Sequence, residues 1–93
     1  MSGGHFEYSQ YRINDIAEEL ERLIESNDDK TPHEYGGTIG RGYSSNTIAR
    51  FKVGLIKLRE AQVYAQRIDW LLSGDDGEET FHERLLEDLE NLR

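Results

Sequence analysis

The chain has 93 residues, a length typical of one domain, and contains no cysteine, which excludes a disulfide framework and a cysteine-ligated metal site. Its net charge of −8 argues against non-specific DNA or RNA binding, because phosphate repulsion dominates at long range. It has no apolar run of the roughly 18 residues that a membrane span needs, and its start, MSGGHFEY, lacks a secretory-signal pattern. We therefore expect one cytoplasmic domain, residues 1–93, with no membrane partner.

The charges form three blocks along the chain. Residues 14–29 carry seven acids against one base, residues 30–72 carry seven bases against three acids, and residues 73–93 carry eight acids against two bases. The basic centre is therefore flanked by two acidic segments. Packed helices that neutralise one another explain most of this pattern, and each exposed ion pair contributes at most about 1 kcal/mol.

The N-terminal segment, residues 1–10, is an aromatic arm that leads into a first helix. Phe6 and Tyr8 in this arm either cover one end of the core or form a stacking platform for a ring. Apolar residues then recur at the spacing of an amphipathic helix over about residues 9–26, with acidic residues on its other face. Either Ser9 or Asn14 is expected to cap this helix.

Residues 27–43, NDDKTPHEYGGTIGRGY, are predicted to form a long Gly-rich loop. Its second half runs directly into the next helix, so that glycine N–H groups, Arg41 and the positive end of a helix dipole come together. This combination is typical of a phosphate cradle, with Tyr35 and Tyr43 placed to stack on a ring. The spacing matches neither a Walker motif nor the dinucleotide fingerprint, so a flexible linker or a short β-hairpin around Gly36 and Gly37 is the alternative.

Residues 44–73 are predicted to form one long helix, because the stretch has no proline and polar residues stand at its start. Its apolar residues lie on several sides rather than on one stripe, which is typical of a helix that is buried on several sides. Two short helices of the same chain do not suffice to cover it. We therefore predict a homo-oligomer that assembles along this helix.

The acidic turn after this helix and the histidines are the remaining candidates for chemistry. Residues 73–79, SGDDGEE, lack the Asp-x-Asp-x-Asp-Gly pattern of a Ca²⁺ loop, so we expect Asp76 to cap a last helix over residues 78–92. His5, His33 and His82 are scattered and have no zinc-ligand spacing. Neither a metal site nor a catalytic set is therefore predicted.

Two stretches, MSGGHFEY and WLLSGDDGEETFHERL, resemble small acidic proteins encoded mainly by tailed bacteriophages. Those proteins open with Met-Ser-Gly-Gly, an aromatic residue and a tyrosine, and close with Trp-Leu, Ser-Gly-Asp and Gly-Glu. The matching positions are residues 1–4, Phe6, Tyr8, Trp70, Leu71, residues 73–75, Gly77 and Glu78. The resemblance implies a host-takeover or counter-defence role. In size and helical make-up the chain is also similar to small oligomeric phage proteins that sequester the nucleotide signals of bacterial immunity.

The sequence thus predicts an all-α fold of three helices with a long central helix, in an oligomeric helical assembly. Our first functional hypothesis is a non-enzymatic protein, without cofactor, that sequesters a phosphate-bearing nucleotide signal at subunit interfaces. The expected ligand-binding residues are Phe6, Tyr8, Gly40, Arg41, Gly42, Tyr43, Arg50 and Lys52. The alternative is an acidic module that inhibits a basic host protein, and a phosphoesterase-like enzyme is third.

Overall fold

A computed structural model describes residues 5–92, and the prediction of an all-α chain with three helices is confirmed for this part. The helices are α1 (Gln10–Ser26), α2 (Ser45–Leu72) and α3 (Glu78–Asn91). Across the described residues there is no strand, and a single antiparallel bridge joins Pro32 to Thr38. The first four residues of the predicted arm and Arg93 lie outside the described part.

Helix α1 packs antiparallel against α2. At one end, the Gln10 side-chain amide donates to Gln66 over 3.1 Å, and further along Gly54 lies beside Leu20. Ala17, in the middle of α1, is the one fully buried apolar residue of the described chain. A small side chain at this position lets the two helices approach closely.

Helix α2 is the longest element, with 28 residues, and spans about 42 Å at 1.5 Å per residue. The predicted polar start is confirmed in detail, since the Ser44 hydroxyl accepts a hydrogen bond from the Thr47 N–H at 3.4 Å. At the other end, Gly74 adopts a left-handed φ of 84° and ends the helix, as the sequence indicates. Ser9 occupies the N-cap position of α1, as one of the two alternatives predicts, but its side chain makes no cap hydrogen bond, and Asn14 lies inside the helix.

Helix α3 returns along the C-terminal half of α2, and a cluster of charged residues joins the two. The Arg67 Nε donates to Asp88 over 2.6 Å, and another Arg67 nitrogen lies 3.8 Å from Asp76. The expectation that Asp76 caps α3 is wrong, because Gly77 occupies the N-cap position. Asp76 instead accepts a hydrogen bond from the Thr80 hydroxyl at 3.0 Å and faces Arg67.

The arrangement is open rather than a closed three-helix bundle. Among the described residues, α1 and α3 each pack against α2 and make no contact with each other. The radius of gyration is 17.4 Å, against about 12 Å expected for a compact chain of this length. The accessible surface is 7059 Å², whereas a compact monomer of this mass exposes about 5,500 Å². The chain therefore leaves large helix faces uncovered.

Twelve large apolar or aromatic side chains are exposed among the described residues, on the helices and on the segments that precede, join and follow them. They are Tyr8, Tyr11, Ile16, Tyr35, Ile39, Tyr43, Val53, Ile56, Tyr64, Leu72, Leu86 and Leu92. No helix within residues 5–92 combines the length and the apolar character that crossing a bilayer demands.

Candidate ligand-binding site

The Gly-rich loop folds back onto the C-terminal end of α1. The N–H of Gly40 donates to the Asp29 carbonyl at 2.8 Å, and the N–H of Gly42 donates to the Asn27 carbonyl at 2.9 Å. The Ile39 N–H donates to the Thr31 carbonyl at 2.9 Å. These N–H groups, which the sequence assigns to a phosphate cradle, are thus already satisfied by backbone carbonyls in this conformation. A ligand role for Gly40 and Gly42 through their N–H groups stays a prediction that requires a different loop conformation.

Gly40 is needed for close packing rather than for an unusual backbone angle. A Cβ atom built on Gly40 would contact the carbonyl oxygen of Ser26 and lie 2.5 Å from that of Asn27 and 2.7 Å from that of Asp29. All three are backbone atoms, which cannot move aside as a flexible side chain can. The loop therefore depends on glycine at this position.

Gly40→Ala is expected to destabilise the protein by about 1–3 kcal/mol, because overpacking forces the backbone to shift. The matched control is Gly54→Ala inside α2, where the new Cβ would make an ordinary 3.9 Å contact with Leu20. That substitution is expected to stabilise the protein by up to about 1 kcal/mol, since alanine favours the helix. Urea unfolding measures both; a Gly40→Ala protein as stable as the wild type would contradict the packing.

Asn27 holds the start of α2 against the end of α1. Its side chain is buried, and it pairs with both backbone groups of Tyr43: its amide donates to the carbonyl at 3.0 Å and its oxygen accepts from the N–H at 2.9 Å. This pairing fixes the position of the Tyr43 backbone relative to α1. The sequence gives little sign of this role, because an asparagine after a helix usually indicates a C-cap.

A cavity of about 360 Å³ lies beside this junction, between the end of α1 and the first turns of α2. Its lining residues are Ile24, Asn27, Asp28, Tyr43, Ser45, Ile48, Ala49 and Lys52. The volume falls within the range of small-molecule sites. Of the predicted ligand-binding residues, Tyr43 and Lys52 line this cavity, while Ser45 and Asp28 were missed by the sequence analysis.

The chemistry of this cavity is that of a site for a ring and an anion. Ser45 lines the cavity, and its N–H belongs to the first turn of α2 and has no acceptor among residues 5–92. This N–H lies at the positive end of the helix dipole, and the Lys52 ammonium adds a full charge. Tyr43 offers an aromatic face, and the Asp28 carboxylate can accept hydrogen bonds from hydroxyl or amino groups.

Arg41 and Arg50 are exposed and lie outside the cavity lining. Arg41 forms no ion pair with any residue that the structure describes, so its guanidinium is free to meet an anion near Tyr43. Arg50 and Lys52 are two residues apart and therefore lie about 200° apart around α2. Of these two cationic residues, Lys52 lines the cavity and Arg50 does not.

Phe6 and Tyr8 lie at the opposite end of α2. The Phe6 N–H donates to the buried Asp69 carboxylate at 2.7 Å, and the His5 N–H donates to the Ser73 hydroxyl at 2.9 Å. Both Asp69 and Ser73 stand at the C-terminal end of α2, about 42 Å from the end that carries Tyr43. Within one chain, the predicted aromatic platform and the predicted phosphate cradle are therefore separate.

The arm has its own shallow apolar cavity of about 320 Å³. Its lining residues are Phe6, Ser9, Gln10, Ile13 and Ala65. In the turn before α1, the backbone of Glu7 and Tyr8 is left-handed, with φ of 53° and 65°. Such angles are unusual for residues other than glycine. A ligand that spans both predicted groups would need a second copy of the chain to bring them together.

A further cavity of about 400 Å³ on the loop side is lined by Asp28, Asp29 and Lys30 together with Gly40 and Gly42. Thr31 donates hydrogen bonds to Asp29 from its side chain and from its backbone N–H, which keeps the pKa of this carboxyl below its usual value. Asp29 is therefore ionised at neutral pH, and the two carboxylates oppose phosphate on this side. Residues 5–92 contain no cluster of three or more potential metal ligands.

No protein-family model matches the chain, and no curated protein or solved structure is significantly similar to it.

Proposed function

We propose that this protein is a non-enzymatic capture protein that works as a homo-oligomer and binds a phosphate-bearing nucleotide at the cavity beside the first turn of α2. The observation that carries the proposal is the set of groups lining one cavity of about 360 Å³: an aromatic ring, a helix N-terminal turn and an ammonium group. Tyr43 stacks on the base, the Ser45 N–H and Lys52 hold phosphate, and Asp28 accepts from a sugar hydroxyl. Because of the resemblance to phage proteins, the proposed biological role of this capture is counter-defence.

The assembly part of the proposal is supported by the surface that the chain leaves open. The accessible surface of 7059 Å² exceeds that of a compact monomer by about 1,500 Å². A standard-size interface covers about 800 Å² on each partner, so the excess corresponds to nearly two such interfaces per copy. Copies that cover one another's helices would supply the core that one chain lacks.

Lys52→Ala is expected to weaken nucleotide binding about 10- to 100-fold, since a hydrogen bond to a charged group contributes roughly 1.5–3 kcal/mol. The matched control is Arg12→Ala, which removes an exposed positive charge from the start of α1, at the opposite end of the helix pair from the cavity. Calorimetry on both variants follows a thermal-shift screen of linear and cyclic nucleotides, with the phosphate-free nucleosides as references. Equal affinities of the two variants would place the ligand elsewhere.

The fate of the nucleotide separates capture from catalysis. A capture protein releases the bound nucleotide intact after denaturation, whereas a phosphoesterase releases the cleaved product. Chromatography of the ligand recovered from the denatured complex distinguishes the two, and recovery of a hydrolysed nucleotide would overturn the non-enzymatic part of the proposal.

The second candidate is an acidic module that binds a basic host protein. It is favoured by the exposed carboxylates on the outward faces of α1 and α3. These carboxylates belong to Asp15, Glu18, Glu19, Glu25, Glu78, Glu79, Glu83, Glu87 and Glu90. This candidate predicts no thermal shift with any nucleotide and a partner affinity that falls steeply with salt.

A further inference from the structure

Helix α3 covers α2 along only half of its length. Asp88 of α3 meets Arg67, and Leu92, just after α3, lines a small cavity with Leu55, Ile56 and Arg59. With 14 residues against 28, α3 ends near the middle of α2. The N-terminal half of α2 therefore has α1 on one side and no neighbour within the described chain on the side that α3 vacates.

The vacated side carries an apolar stripe with basic edges, which we call the α2 notch. Ala49, Val53 and Ile56 follow one another at the i, i+4, i+7 spacing of a single helix face, and Val53 and Ile56 are 45% and 58% exposed. Lys52 lies on one edge of the stripe, and Arg50 and Lys57, which are seven residues apart, lie on the other. A helix that filled the notch would extend the line along which α3 packs.

The outward face of α3 has the complementary pattern. Leu86 is 62% exposed, and Glu83 and Glu90, at i−3 and i+4, lie on the same side of it, so that all three share one face. Both glutamates are exposed. An exposed leucine with one acidic edge on α3 thus matches an apolar stripe with a basic edge in the α2 notch.

The charges of the same two segments select α3 as the occupant. Residues 45–59 of α2 carry four bases and no acid, and residues 78–91 carry six acids and one base. If the α2 notch of a second copy lay against the first, four positive charges would face four positive charges. If α3 of a second copy lay there, the four positive charges would face a net charge of −5. Lys57 makes only a 3.9 Å contact with Glu60 inside its own chain and is 73% exposed, so it is available to a second copy.

We propose that the outward face of α3 in one copy docks into the α2 notch of a second copy. This rests on the assembly part of the proposed function and names the two surfaces that form it. Leu86 packs on Val53 and Ile56, while Glu83 and Glu90 face Arg50 and Lys57 on one edge of the notch. The notch shares Ala49 and Lys52 with the nucleotide cavity, so the docked helix closes one flank of that cavity.

Charge reversal tests the pairing directly. Glu83→Lys with Glu90→Lys is expected to raise the dissociation constant of the assembly roughly 100-fold, because like charges placed opposite each other cost several kcal/mol. Arg50→Glu with Lys57→Glu is expected to do the same from the α2 side. The four substitutions together restore opposite charges and should restore assembly. Glu19→Lys with Glu25→Lys on α1 is the control with the same change in net charge.

Sedimentation velocity over a concentration series measures the assembly, and circular dichroism checks that each variant is folded. The proposal holds if each reversal dissociates the assembly, the combined variant reassembles and the α1 control keeps the wild-type mass. It is overturned if the α3 reversal keeps the wild-type mass or if the combined variant stays dissociated. In either case nucleotide binding by the wild type would leave the proposed function standing, whereas a wild-type protein that stays a single chain would overturn its assembly part as well.

Discussion

Arg67→Met is expected to destabilise the protein by about 3–5 kcal/mol, because it removes the arginine that contacts both Asp76 and Asp88 and leaves the exposed Arg84 as the remaining counter-charge of the buried Asp76 carboxylate. The Arg67 side chain is 13% exposed and that of Asp76 is 4% exposed. Arg67 also bonds to Asp88 at 2.6 Å and lies 4.7 Å from the centre of the Trp70 ring. Methionine keeps most of the packing of the arginine stem, so the measured loss reports the charge. For a small domain with a typical stability of about 5–15 kcal/mol, the loss is large.

The control is Arg84→Met, the same chemical change at a second arginine that faces the same carboxylate. Arg84 lies 3.5 Å from Asp76 but is 54% exposed. An exposed pair contributes at most about 1 kcal/mol, so this variant should unfold close to the wild type. Equilibrium denaturation with urea compares the two. Similar losses for both arginines would show that burial does not set the strength of this cluster.

Asn27→Ala is expected to destabilise the protein by about 2–6 kcal/mol, since it leaves two backbone groups of Tyr43 without partners at roughly 1–3 kcal/mol each. The Asn27 residue is only 6% exposed, so water cannot easily replace its side chain. The loop between α1 and α2 would lose its main anchor to α1. Trypsin should therefore cut after Lys30 and Arg41 much faster in the variant than in the wild type.

Asn46→Ala provides the comparison, because Asn46 is an exposed residue in the first turn of α2. Surface substitutions of this kind stay within about 0.5 kcal/mol. Thermal unfolding and the proteolysis rate should both match those of the wild type. If Asn27→Ala also matched the wild type, the hydrogen bonds from Asn27 to Tyr43 would not contribute to stability. The shape of the cavity would then depend on other contacts.

The helices could be predicted from local sequence patterns, because local physics determines them. The spacing of Ile13, Ala17, Leu20 and Ile24 indicates α1, and Ser44 marks the start of α2 to within one residue. The role of Asp76 could not be predicted in this way. Its position suits an N-cap, but a buried arginine nine residues earlier in the chain competes for the same carboxylate.

The candidate site was predicted in part. Tyr43 and Lys52 do line one cavity, because they stand at the start of a helix whose position the loop determines. The grouping of Phe6 with them stays a prediction for a site between two copies, because within one chain two successive antiparallel helices place the start of α1 beside the end of α2. The Gly40 and Gly42 N–H groups donate to the carbonyls of Asp29 and Asn27, just after α1. This pairing depends on tertiary packing, so it cannot be predicted from the spacing of residues along the sequence.

The separation of α1 from α3 affects how the molecule opens. Because these two helices share only α2 as a neighbour, loss of one does not remove any contact of the other. Partial opening can therefore proceed from either edge as a distinct cooperative unit, well below the free energy of global unfolding. Amide protons of α1 and of α3 should consequently exchange with solvent independently, while those in the middle of α2 exchange last.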